Sequence, residues 1–329
     1  MSKQALLGIA LFCVLAKAVD ANAGVATRLR FLYSAIGGAV TAGWVTYEGG
    51  YFQKYGLEPE IVYVGAGGKA LSALLAGEVD VGLVSGQALV LAKLAGADIV
   101  SIASHTPTLI MSLIVQRDVI NPSQLKGKAV GVTRIGSSSH MGLLFSLKHF
   151  GLSPKDVTIL QIGGMPEMVA ALMSGTIAGG MVTPPSSFRA LKLGLREMLE
   201  VSTLKVPFDQ STLATTRRYI RDKPEIVRAI ARAYVEGIHR AKTDKTFTLA
   251  VLKKYTRVPD PELLEATYGL FVERNFERLP YPNVAGVRTV LDSVSGANLK
   301  ARVADPSDFV DPRWIEELDQ MSFIKELYR

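Results

Sequence analysis

The stretch that decides the fold is Ala73-Leu-Leu-Ala-Gly-Glu-Val-Asp-Val-Gly-Leu-Val84, because the chain repeats it. Ala171-Leu-Met-Ser-Gly-Thr-Ile-Ala-Gly-Gly-Met-Val182 aligns with it without gaps at an offset of 98, with five of twelve positions identical. Each copy reads as the end of a helix, a glycine stop and a short strand. The same offset lays Val64-Gly65 on Ile162-Gly163, so each half carries strand, glycine turn, helix, glycine stop and strand. One duplicated segment is too few for a solenoid. It predicts two lobes of similar architecture that offer equivalent loops.

Outward from these copies, strand-like and helix-like segments alternate. Arg28–Ser34 reads as a strand ended by Gly37-Gly38. A single helix is expected next, with Val40, Trp44, Val45, Tyr47, Tyr51, Phe52 and Tyr55 near a 3.6-residue period. Glu60–Val64, Val79–Val84, Asp98–His105 and the apolar run Ile110–Gln116 follow, and the pattern restarts at Ala129. Strands separated by helices imply mainly parallel sheets flanked by helices, an α/β class. After Thr216 the texture becomes helical. Asp222-Lys-Pro-Glu225 is expected to open a helix with an acidic cap, and the tail is expected to buttress one lobe.

The 329 residues are 48% hydrophobic and 20% charged, which excludes a disordered or collagen-like chain and favours two domains. The net charge of +7 is spread without a Lys/Arg block, so nucleic acid is not an expected partner. Met1–Ala23 reads as an export signal: Lys3, the apolar run Ala5–Leu15, and Ala21-Asn22-Ala23 as a cleavage site. Cleavage removes Cys13, the one cysteine, which leaves no disulfide or thiolate chemistry in the mature chain. The expected location is outside the cytoplasm.

In open α/β sheets, ligands sit beyond the carboxyl ends of strands, where helix N-termini expose N–H groups. Three such turns stand out. Val130-Gly-Val-Thr-Arg-Ile-Gly-Ser-Ser-Ser139 supplies hydroxyls at Ser137, Ser138 and Ser139, with Arg134 alongside. Either a helix cap or a ligand contact suits those hydroxyls. Gly65–Gly68, including Gly67 and Gly68, allows close backbone approach. Val182-Thr183-Pro184-Pro185-Ser186 offers Thr183 on a proline-stiffened turn, with Ser85 as its first-lobe counterpart. His105 and Lys69 are weaker candidates. His140, His149 and His239 lack metal-ligand spacing, and no nucleophile elbow, P-loop or dinucleotide fingerprint is present. Neither an enzyme, a cofactor nor a bound metal is expected.

The chain resembles the periplasmic substrate-binding proteins of ABC importers, in the group that handles nitrate, sulfonates, taurine and thiamine-precursor pyrimidines. The resemblance rests on Glu48-Gly-Gly-Tyr-Phe-Gln-Lys-Tyr-Gly-Leu57, Leu75-Ala-Gly-Glu-Val-Asp-Val-Gly82, Leu125-Lys-Gly-Lys-Ala-Val-Gly-Val132 with Gly136-Ser-Ser-Ser139, and Pro224-Glu-Ile-Val. It implies a type II periplasmic-binding-protein fold, with lobe 1 from 24–110 plus 213–329 and lobe 2 from 111–212. Crossings are expected near Leu109–Val115 and Asp209–Thr216. The implied ligand residues are Ser34, Gly37, Gly38, Gly67, Gly68, Ser85, Ser137, Ser138, Ser139, Thr183 and Pro184. The resemblance also implies a monomer in the periplasm that delivers its solute to a membrane permease with a cytoplasmic ATPase. The hydroxyl and N–H donors, with Arg134 added, point to a small organic anion. A neutral or aromatic heterocycle would need Trp44, Tyr47 or Phe188 in the cleft, and a sensory partner is the other alternative. The chain departs from the pattern at Ile177-Ala-Gly-Gly180, where relatives commonly have Val-Asp-Ala. The Cys-rich signature of the fungal branch that consumes its own histidine is absent.

Overall fold

A computed structural model describes residues 27–65 and 67–329. The expected export signal, 1–23, lies outside the described residues. Among the described residues, ten strands build two sheets: β1 (Thr27–Tyr33), β2 (Leu57–Tyr63), β3 (Val81–Val84), β4 (Val100–Ser104), β5 (Ser112–Val115), β6 (Ala129–Val132), β7 (Thr158–Gln161), β8 (Gly179–Val182), β9 (Arg196–Glu200) and β10 (Thr212–Thr215). The first sheet runs β2-β1-β3-β10-β4 and the second β7-β6-β8-β5-β9. The chain therefore leaves the first sheet after β4 and returns to it at β10.

Each sheet is parallel except for one strand. β10 pairs antiparallel with β3 and β4, and β5 does the same between β8 and β9. These exceptions are the strands that adjoin the two crossings, so the sheets are mixed rather than simply parallel. The duplicated stretches occupy matching places: Gly82 lies opposite Ala214, and Gly180 opposite Ile114. Both inserted strands also shift register at equivalent points, Leu213/Ala214 and Leu113/Ile114.

The sheets bury near-continuous apolar strands, as sheets covered on both faces must. One cluster joins Phe31, Trp44 and Leu83 to the tail residues Tyr234, Leu264, Phe271 and Trp314. Another passes from Leu32, Leu74 and Leu89 through Leu109 and Met111 into Leu113, Met141 and Leu147. This second core is continuous between the lobes.

Three helices differ from the periodicity reading. The helix expected over 40–55 divides into Thr41–Glu48 and Tyr51–Lys54, because Gly50 takes φ +70° between them. Asp222 ends the short Arg217–Asp222 helix, and Lys223 occupies the cap position of Pro224–Thr243 without a side-chain cap bond. In the helical tail, α-helical Pro261–Tyr268 is followed by a π-helical turn, Gly269–Glu273, rather than continuing at one pitch. Such turns recur at functional places.

Candidate functional site

The carboxyl ends of β1, β3, β6 and β8 carry the turns singled out in the sequence, and the fold brings several of them into contact. A Cβ on Gly37 would lie 3.2 Å from the Pro184 carbonyl and 3.6 Å from Thr183 Oγ1. The first-lobe turn therefore abuts the second-lobe turn, and Gly37 is what permits that approach. Ser85 Oγ lies 2.9 Å from Ser138 Oγ, a hydroxyl pair that joins β3's turn to β6's turn. A Cβ on Gly136 would lie 3.6 Å from Leu91 on the Gly86–Leu94 helix.

The three serines have separate roles. Ser137 is the cap of the Ser138–His149 helix and accepts from the His140 amide, while its own hydroxyl donates to the Arg134 carbonyl at 2.6 Å. Ser139 is buried and closes the turn by accepting from the Thr133 amide at 2.9 Å. Only Ser138 reaches the other lobe. His140 Nδ1 accepts from Gly136 N at 3.4 Å, and burial lowers the imidazole pKa.

Other expected residues stand elsewhere. Ser34 donates its hydroxyl to the Leu83 carbonyl, tying β1 to β3. Gly38 is required by packing, since a Cβ there would meet the Phe271 ring at 2.1 Å. Gly67 opens the Gly67–Ala76 helix; neighbouring Gly68 is exposed and would give a Cβ free space. Arg134 is exposed. Trp44 is fully buried and stacks on Tyr255 at 4.7 Å, so it is core. Ala178, the counterpart of Asp80 in the first copy, precedes β8 at the end remote from these turns, and its amide donates to the Ala129 carbonyl.

His105 has a positioning place. It is fully buried, with Nε2 3.0 Å from the Ala39 carbonyl and Nδ1 2.7 Å from the Tyr234 hydroxyl. Burial lowers its pKa to about 4. The neutral ring donates from Nε2 and accepts at Nδ1, which holds the turn after β1 against the Pro224–Thr243 helix.

Five polar atoms were not legible as a set in the sequence. Thr41 Oγ1, Gln87 Oε1, Thr106 Oγ1, Ser187 Oγ and Ser211 Oγ are buried without a hydrogen-bond partner among the described residues. Thr41, Gln87 and Ser187 sit in the first turns of helices that follow β1, β3 and β8; Thr106 and Ser211 sit on the two crossings. Trp44 Nε1, Tyr219 Oη, Arg232 Nε, Trp314 Nε1 and Tyr328 Oη also lack a partner among the described residues; what sets the first five apart is their place on these turns and crossings, where a bound solute or water would pair them. The return crossing also holds Asp209 and Gln210, both buried. Gln210 accepts from the Ile110 amide at 2.7 Å and donates to its carbonyl at 3.1 Å, which clamps the crossings together. The polar run Asp209-Gln210-Ser211 beside an apolar strand was the signal available for this.

A family description, NMT1/THI5 like, matches residues 40–245. The chain belongs to the NMT1/THI5-like family. Among relatives of this NMT1/THI5-like chain, an ABC transporter periplasmic binding protein of Brachyspira hyodysenteriae is 26% identical over 240 residues, 68% of each chain. The taurine-binding periplasmic protein of Escherichia coli is 27% identical over 176 residues, 52% of this chain and 54% of the relative. In fold, the alkanesulfonate-binding protein from Xanthomonas axonopodis pv. citri bound to MOPS matches with TM-score 0.72 at 21% identity. That match covers 87% of this chain and 98% of the other. The expected periplasmic-binding-protein fold is thus borne out. Among the described residues, no helix is long and apolar enough to cross a membrane.

Proposed function

We propose that this protein is the extracytoplasmic solute-binding component of an ABC-type importer, and that it takes a small sulfonate- or carboxylate-like anion between its lobes. It works as a monomer in the periplasm after removal of residues 1–23, hands its solute to a membrane permease, and performs no chemistry on it. The lobes are 24–110 plus 213–329, and 111–212, a division supported by the allocation of β1–β4 and β10 to one sheet and β5–β9 to the other.

The observation that carries this reading is the group of five unpaired buried polar atoms around the strand-end turns and crossings. Four are hydroxyls, which can donate to anionic oxygens without the cost of burying a lone cation. Gln87 adds an amide that can present either polarity. Ser85, Ser138, Gly37 and Thr183 complete the contact zone. A solute that bridges both lobes favours the closed arrangement by its differential affinity for it. The aromatic-heterocycle reading has less support, because the Trp44 ring stacks on Tyr255 within the first-lobe core, although its indole Nε1 also lacks a partner among the described residues.

Native mass spectrometry of freshly purified protein, followed by a thermal-shift screen of sulfonates, carboxylates and pyrimidines, tests the proposal. A ligand raises the melting point by mass action. Stabilisation by taurine or another sulfonate is the expected result. Stabilisation by pyrimidines alone would transfer the site to the heterocycle class, and turnover of any bound compound would overturn the binding-protein reading.

A further inference from the structure

The Ser186–Lys192 helix begins directly after the Thr183-Pro184 turn and carries two residues one turn apart, Phe188 and Lys192. Phe188 packs on the first sheet's apolar cluster, to which Leu264, Tyr268 and Phe271 of the tail belong. Lys192 Nζ donates to Asp260 Oδ2 at 2.7 Å and to Glu262 Oε2 at 2.7 Å. Asp260 is itself fixed as the cap of Pro261–Tyr268, accepting from the Glu262 amide at 3.0 Å. The π-helical turn that follows sets Phe271 against Gly38, beside the first-lobe turn. One tail segment, 260–273, therefore touches the second lobe at one end and supports a strand-end turn of the first lobe at the other.

We infer that Phe188 and Lys192, with Asp260 and Glu262, form a clasp that sets the ratio of closed to open molecules independently of solute. The inference rests on the reading of the lobes as a jaw. Apparent affinity scales with the population of the binding-competent form, so a contact made only on closure tunes binding from outside the ligand site. The ionic half of the clasp is solvent-exposed. It contributes about a two- to fivefold bias at low salt, and at about 0.5 M salt screening shortens its reach to a few ångströms. The tail thus does more than buttress one lobe.

Because residues 24–329 contain no cysteine, the mature chain accepts spin labels at Glu78→Cys and Lys155→Cys, exposed sites on different lobes. Double electron–electron resonance without added solute reads the closed-to-open ratio directly. Lys192→Ala should lower that ratio about threefold in dilute buffer. High salt should do the same to the unsubstituted clasp and nothing further to Lys192→Ala. Lys192→Asp combined with Asp260→Lys should recover part of the loss. An unchanged distance distribution in Lys192→Ala, including a single closed population in every variant, would overturn the clasp. So would an undiminished salt response in that variant. Parallel titrations with taurine and methanesulfonate keep the two proposals apart: failure of both to bind sinks the solute class, while the distances still decide the clasp.

Discussion

The two crossings occupy equivalent places between the sheets, yet they are chemically unlike. At an offset of 100, Pro107 corresponds to Pro207, and Leu109-Ile110-Met111 to Asp209-Gln210-Ser211. Thr108 bridges to Pro207, and Phe208 N donates to the Pro107 carbonyl at 3.0 Å. The outgoing crossing threads the continuous apolar core, whereas the return crossing supplies the polar groups that satisfy its neighbour's backbone. The difference teaches that duplication fixes the path while the buried backbone dictates where polarity must be kept. Gln210→Ala should therefore cost roughly 3 kcal/mol, since it strands both the amide and the carbonyl of Ile110. Ile110→Val, which leaves the backbone bonds in place, should cost about 1 kcal/mol. Equal urea midpoints for the two variants would break the comparison.

Leu109 and Asp209 sharpen it. Asp209 is fully buried, and burial pushes its carboxyl up to about 7 despite hydrogen bonds from Ser104 and Thr212. In the unfolded chain a carboxyl of this kind titrates near ~3.9. Between those values the folded chain holds a proton that the unfolded chain has released, so this group's contribution to stability falls as pH rises. The slope is at most about 1.4 kcal/mol per pH unit. His105 and Tyr234 face the same region; with a pKa lowered to about 4, His105 stays neutral from pH 5 to pH 7. Asp209→Asn should flatten the decline in melting temperature between pH 5 and pH 7. A decline that persists unaltered would assign the pH response to other groups.

How much of this was legible follows from which forces act locally. The echo of Ala73–Val84 in Ala171–Val182 revealed two lobes because the glycine stop and the strand period are properties of short segments. The turns after β3 and β6 were legible for the same reason. Gln210 was not, because its role depends on Ile110, a hundred residues earlier, and no local pattern marks a side chain that substitutes for a strand partner. The break at Gly49-Gly50 was hidden by apolar residues that keep a helical period on both sides of it. Gly38, expected as a ligand contact, also carries a packing requirement that was not legible, since the ring that fills its space comes from the tail. Ala178 lies where the chain departs from the family pattern, which put ligand geometry in doubt. Its first-lobe counterpart Asp80 instead accepts from the Arg30 amide at 2.7 Å, an internal tie of the sheet.

The turns after β1 and β6 give the finest test, because Ser34-Ala-Ile-Gly-Gly38 and Thr133-Arg-Ile-Gly-Ser137 match at an offset of 99. Gly38 lies under Phe271, so Gly38→Ala should destabilise the protein by about 2 kcal/mol through overpacking. Its counterpart Ser137 is a helix cap, and Ser137→Ala should cost about 1 kcal/mol. Ser138 makes neither contribution: its hydroxyl meets Ser85 across the lobes and caps nothing. Ser138→Ala should thus leave the urea midpoint within about 0.5 kcal/mol of the parent. Calorimetry with whichever sulfonate stabilises the protein should at the same time show a severalfold weaker affinity. Ser137→Ala should behave the other way, with lower stability and nearly unchanged binding. If both variants lose stability and affinity together, the turn acts as one structural unit, and the division between a capping serine and a solute-facing serine is wrong.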